Sequence, residues 1–206
     1  MADVETATEG RGALGERGAS GERGALDGVL KLGTQPVAAA LMTATVALYM
    51  ALVAFGNITD FDNNQQFVRH VLAMDTTFRD QDLMWRAITS RTLQDTAYVA
   101  IIVWEVLTAL VLIAATVWWV PALRSRSRSR SRSDERARRA STLGLVMVLL
   151  LFGAGFIAIG GEWFAMWESK DWNGLDSALR NVVLGGLALV VVNLSSSRGA
   201  LPRSRS

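Results

Sequence analysis

Glu105 is the only charged residue between Thr96 and Leu123. At about 1.5 Å of rise per helical residue, it falls near the middle or outer third of a bilayer if that stretch spans one. An ionised carboxylate at that depth costs about 2.5–3.5 kcal/mol or more. The group must therefore be protonated, paired, or turned toward a wet cavity between helices. Two uses fit such a residue: a proton or cation relay or ligand counter-ion, and a hydrogen-bonded glutamate that fastens helices together.

Other chemistry-bearing groups are few. The chain has no Cys and one His. This excludes a disulfide framework, a thiolate metal site, a cysteine nucleophile and a polyhistidine site within one chain. His70 lies close in sequence to Asp75 and follows Asp60 and Asp62. It could serve as a pH-sensitive group, a haem ligand or part of a metal site, but no zinc spacing surrounds it, and a hydrogen-bonded structural histidine is the plainer reading. Glu162 and Arg180 flank the last two apolar stretches. If both face the same side as Glu105, an arginine beside two carboxylates would let at least one stay ionised. The alternative leaves Glu162 and Arg180 solvated at the headgroup boundary. No residue calls for a cofactor.

The elements that must position these groups are read from hydropathy. Of 206 residues, 50% are hydrophobic and 19% charged, and the mean hydropathy is +0.26. The charges bunch, leaving long uncharged intervals that argue against a water-soluble domain. Four intervals meet the length a bilayer core requires, with spans at about 36–56, 97–120, 142–161 and 179–194. The fourth is the shortest and works best if Leu179 and Arg180 form its first turn. A signal peptide is disfavoured for the first, because a polar tail of mixed charge precedes it. With four spans, fifteen of the 21 Lys and Arg residues lie on one side and six on the other, and positive-inside bias puts both termini in the cytoplasm. Pro36, Pro121 and Pro202 are expected outside helix interiors.

The external loop, 57–95, carries a further pattern. Phe67, Val68, Val71 and Leu72 share one helical face within Gln65 to Met74, which predicts an amphipathic helix capped by Asp62 or Asn63. Another turn is expected through Leu83, Met84, Trp85 and Ile88, capped by Asp80 or Asp82. Such helices need a surface for their apolar stripes, so the loop is expected to form a lid. Glycines at 153, 155, 160, 161, 185 and 186 are read as permitting close helix packing. The segments 1–33 and 195–206 read as disordered cytoplasmic tails, the first with glycine at every third position from Gly12 to Gly24 but no proline for a collagen helix. Five Arg-Ser dipeptides, Arg124 to Ser133, lie in the loop 121–141. Next to a span they read as a disordered segment drawn to anionic headgroups, not as a nucleic-acid site.

The words Asn57-Ile58-Thr59-Asp60, FVRHVLAMDTTF from Phe67, MWRAITS from Met84 and GGEWFAMWESKDWNG from Gly160 resemble a bacterial family of predicted small integral membrane proteins of unknown function. The resemblance covers roughly Val37 to Leu194. It implies a four-span inner-membrane protein and lends no catalytic residue or ligand. Because both external segments hold the recognisable words, any site is expected at the outward face, with Asp75, Arg86, Glu162 and Trp163 beside Glu105.

The expected fold is thus an all-α membrane protein: an antiparallel bundle of four transmembrane helices, residues 34–194, with a helical extracytoplasmic loop between helices 1 and 2. The expected function is a non-enzymatic accessory or structural component of a membrane complex, partnered by lipid and by another membrane protein or a second copy. A small transporter or channel using Glu105 is the alternative, and a lipid-acting enzyme or haem-quinone protein comes third.

Overall fold

A computed structural model describes residues 33–124 and 129–194. The expectations for the two tails, and for the dipeptides at 125–128, lie outside the described residues. The helices are α1, Gln35–Thr59; α2, Phe61–Ala73; α3, Arg91–Arg124; α4, Ser129–Leu149; and α5, Leu175–Asn193. Beyond Leu149 the coil of α4 continues through Leu150–Trp163 as a π-helix, and short 3₁₀ turns occur at Met84–Arg86 and Met166–Glu168. Among the described residues four helices, α1, α3, α4 with its continuation, and α5, are long and apolar enough to cross a membrane.

The four pack in a ring: α1 against α3 and α5, and α4 against α3 and α5. Side-chain bonds fix the alternation of direction. Gln35, at the start of α1, donates to the Val191 carbonyl near the end of α5 (2.6 Å). The Trp119 indole, near the end of α3, donates to Ser141 Oγ of α4 (3.0 Å), in the first half of the coil that α4 forms with its π continuation. Neighbours therefore run antiparallel. The interior is built from small and branched residues such as Ala39, Ala109, Leu112, Leu145 and Val192. Such residues let backbones approach closely where lipid supplies no hydrophobic drive for helices to associate.

Polar side chains hold the bundle at several depths. Ser141 Oγ donates to the Ala137 carbonyl (2.8 Å) and lies 3.1 Å from Thr43 Oγ1 of α1. Tyr49 donates to Asn181 Oδ1 (2.6 Å), joining α1 to α5. Trp104 donates to the Met147 carbonyl (3.0 Å), three residues before the coil of α4 widens at Leu150. An indole inserted beside a helical ladder is a recognised cause of such a change.

Several sequence boundaries are corrected. The helices run past the apolar intervals at both ends of α3 and at the start of α4. Pro121 lies inside α3, against expectation. It sits one turn from the described end of that helix and is itself exposed, so its ring meets no packed neighbour and a single helical hydrogen bond, to the Val117 carbonyl four residues back, is lost. The second half of loop 121–141 is helical, because Ala137 and Ser141 are buried in the bundle and Glu135 pairs with Arg138 and, at 2.7 Å, with Arg139 along the helix. The Arg136 guanidinium lies 5.7 Å from the Trp118 ring centre. The expected cap of α2 also shifts. Asp60 alone separates α1 from α2, and its carboxylate accepts from Asn63 Nδ2 (2.7 Å) without bonding a backbone amide of α2.

Candidate functional site

The end of the bundle that carries the chemistry-bearing residues is covered by α2, the turn at Met84–Arg86 and the segment 164–174. The apolar face of α2 is pressed inward. Val68 is buried, and Phe67 stacks with Phe156 of the π stretch (6.4 Å between centroids) and meets Trp172 edge-on (6.3 Å). Met74 closes α2 with a left-handed backbone (φ 52°). Its side chain then joins Phe164 and Ala165 in a small second core flanked by Leu72, Leu83 and Ile88.

Polar contacts lock this cover to the helices beneath. Arg69 grips Asp95 at the start of α3 with two bonds, Nε to Oδ1 at 2.7 Å and Nη2 to Oδ2 at 2.9 Å. That grip, with its hydrogen bond first, holds the Arg69 guanidinium further above its ordinary value. The Ile88 amide donates to the Leu72 carbonyl (2.8 Å). Thr76 and Ser169 share a hydroxyl bond (2.8 Å), and the Phe78 amide donates to Glu168 Oε2 (2.8 Å). Asp80 shapes the intervening turn, accepting the Asp82 amide on its carboxylate and the Leu83 amide on its carbonyl, each at 3.0 Å.

The expected site residues divide into three groups. Glu105 is 1% exposed, and its Oε2 accepts from Asn57 Nδ2 of α1 at 2.7 Å. The Asn57 carbonyl in turn accepts the Tyr98 hydroxyl at 2.8 Å, so two bonds tie the end of α1 to α3. Among the described residues no bond or ion pair joins Glu105 to Glu162 or Arg180. Glu162 and Arg180 are both exposed, and Arg180 donates to Ser177 one turn back (2.9 Å). The separation follows from helix registry: Arg180 lies on the outer face of α5, and the adjacent Asn181 is the residue turned inward.

His70 and Asp75 do meet, with Nδ1 2.9 Å from both carboxylate oxygens. The imidazole also stacks on Trp172 at 4.6 Å. This is the arrangement of an oriented structural histidine. A metal or haem would have to displace the carboxylate at Nδ1 or approach the other ring nitrogen, and Asp60 is engaged with Asn63 instead. Arg86 and Trp163 form the third group. The guanidinium lies 5.0 Å from the Trp163 ring centre and 5.6 Å from that of Trp85, the two indoles meeting edge-on at 5.6 Å. Such cation-π contacts are worth about 0.5–1 kcal/mol at exposed sites.

Two features escaped the sequence reading. Asn57 stood out in sequence only as part of an Asn-Ile-Thr triplet, and nothing local marks it as the partner of a residue 48 positions away. The other is a cavity of about 310 Å³ roofed by Val68 and Leu72 of α2 and walled by Ala97 and Ile101 of α3 and by Gly155 and Phe156 of the π stretch. Beside it a smaller polar pocket of about 220 Å³ holds Arg69, His70, Asp75, Arg91 and Gln94. Gln94 is 2% exposed. Its amide nitrogen donates to the Ile88 carbonyl (2.6 Å).

The packing glycines are also sorted. A Cβ on Gly161 would lie 2.9 Å from Leu175, and one on Gly185 would lie 3.1 Å from Val148. At Gly153, Gly155 and Gly160 the nearest neighbours are at ordinary distances, and Gly186 faces open space. The tightest approach is at Gly144, which the sequence reading passed over, where a Cβ would fall 2.6 Å from Leu112.

No curated protein and no solved structure matches the chain. One family model does, over residues 35–195, which takes in every described helix and both halves of the covered end. The chain therefore belongs to the family described as predicted small integral membrane protein, DUF2165.

Proposed function

We propose that this integral membrane protein is a non-enzymatic accessory or structural component that docks on a larger membrane complex through its covered end. The observation that carries this reading is a braced platform with aromatic side chains left outside it. Phe78, Trp85 and Trp167 are 71%, 69% and 52% exposed, while the backbone beneath them is tied down by the Arg69–Asp95, Ile88–Leu72 and Phe78–Glu168 contacts. Rigid aromatic side chains are the usual anchors of protein interfaces, because they bury much area at small entropic cost. The platform faces the extracytoplasmic side of the bacterial inner membrane and both termini lie in the cytoplasm, a reading supported by the excess of Lys and Arg at the opposite end of the bundle.

Native-detergent purification with mass measurement and an absorption spectrum tests the proposal. A co-purifying polypeptide in fixed ratio, lost on Trp85→Ser with Trp167→Ser while the chain stays folded, is the expected result. A Soret band would favour a haem protein instead, and a chain that never acquires a partner would count against docking.

Transport is the second reading, favoured by the burial of Glu105 deep in α3. In proteoliposomes a cation or proton flux abolished by Glu105→Gln would support it, and a flux that survives the change would oppose it.

A further inference from the structure

The 310 Å³ cavity lies within the apolar length of α3 and the π stretch, so its mouth opens at hydrocarbon depth. Ala100 and Ile159, which also line it, are exposed at that mouth. Its space comes from small residues on both walls, Ala97 and Ala100 facing Gly155 and Gly160, under the roof made by α2. The volume is at the lower end of ligand sites, roughly 300–1,000 Å³. A flexible hydrocarbon chain fits it, whereas a partner helix about 10 Å across does not.

A cation, Arg86, lies near this groove but outside the residues that line it. Ile159, Gly160 and Phe164 line the groove, and Trp163, between them in sequence, supports the Arg86 guanidinium at 5.0 Å. The turn that bears Arg86 is bonded to the groove's roof through Ile88 and Leu72 (2.8 Å). Among the described residues Arg86 has no carboxylate partner, and its Nε is buried without a hydrogen-bond acceptor. Paired indoles mark headgroup depth, and a guanidinium there matches a phosphate, which offers several acceptor oxygens to its fork of donors.

We propose that this groove is a phospholipid site: one acyl chain lies beneath α2 between α3 and the π stretch, and the lipid's phosphate rests against Arg86. The occupant comes from the leaflet on the same side as α2. A chain roofed by α2 exchanges more slowly than lipid on the open faces of the bundle, and the arginine sets its depth. The site thus gives a use both to the room that the glycines of the π stretch leave and to an arginine that no carboxylate among the described residues neutralises.

Native mass spectrometry of the purified full chain titrated with palmitoyl-oleoyl phosphatidylglycerol tests this. The expected result is a first lipid adduct at least about tenfold tighter than later ones. Gly155→Leu, at a glycine that lines the groove and whose added Cβ meets its nearest neighbour at an ordinary 3.8 Å, abolishes that first adduct. Arg86→Gln weakens it about tenfold and Arg86→Lys recovers most of the loss, while binding of uncharged hexadecanol, which offers the guanidinium no anion, is unchanged by either. Ala100→Phe blocks the groove from the α3 side and serves if Gly155→Leu does not fold. Equal affinity for all adducts, a tight adduct that survives both blocking variants, retention of detergent instead of lipid, or a dimer that vanishes with the block would each overturn the proposal.

Discussion

Asn57 and Glu105 meet across 2.7 Å, the amide of α1 donating to the carboxylate of α3. The pair explains how an acidic residue is held inside an apolar bundle. The partner is a neutral amide with a donor to spare, and its own backbone carbonyl is occupied by Tyr98. In thermal melts of detergent-solubilised protein, a cycle of Asn57→Ala and Glu105→Leu should give a coupling of about 0.6 kcal/mol, the average for interhelical hydrogen bonds in membranes, and no more than about 1.7 kcal/mol. Glu105→Gln should cost less than Glu105→Leu, because an amide oxygen still accepts from Asn57. Strictly additive effects would remove the pair from the account of how α1 is held to α3.

Glycines alike in sequence should respond oppositely to alanine. Gly144→Ala drives a methyl to 2.6 Å from Leu112, which is fully buried, and overpacking of this kind costs about 1–3 kcal/mol. Gly186→Ala meets nothing within 4 Å and should raise stability by up to about 1 kcal/mol through helix propensity. A parallel melting comparison decides the matter; equal shifts for the two variants would contradict the close α3–α4 contact.

The Arg69–Asp95 grip should matter more for the order of α2 than for global stability. Both side chains keep some solvent contact, so the pair is screened and adds little to global stability. Asp95→Asn is expected to raise hydrogen exchange across Phe61–Ala73 while leaving the four long helices protected. The folded chain raises the affinity of Arg69 for its proton and lowers that of Asp95, so this contribution is fully present between their two unfolded values and is lost as pH rises through the arginine's folded value or falls through the aspartate's. Near neutral pH it should be flat. A marked change in α2 exchange between slightly acidic and slightly alkaline buffer would point to a different group.

Much of the bundle was legible because hydrocarbon leaves a strong mark. A long uncharged run such as Val37 to Phe55 has few other fates, and α1 and α5 lie close to where the apolar intervals put them. Helix ends were less legible. Outside the hydrocarbon they depend on tertiary contacts, such as Ala137 reaching the core ahead of the apolar run and Pro121 being tolerated near a polar boundary. The site was read in part. His70 with Asp75 could be found because they lie five positions apart, in the last turn of α2 and just past its cap, whereas Trp163 and Arg86 were expected beside Glu105 and not as partners of each other. The partner of Glu105 could not, since Asn57 belongs to another helix and its choice depends on the rotation of α1 about its axis. The π coil has no local signature beyond its glycines, so the groove it opens was invisible.

The central claim is that four helices cross the bilayer and hold the braced platform on the face opposite the Arg-rich end. Native cysteine is absent, so single cysteines report without background. Asp82→Cys on the platform and Ser133→Cys at the Arg-rich end, probed in intact spheroplasts with a membrane-impermeant maleimide, give the most direct reading. The account predicts labelling of Asp82→Cys alone, with Ser133→Cys reacting only after permeabilisation. Labelling of Ser133→Cys in intact spheroplasts, or of both positions, would contradict it.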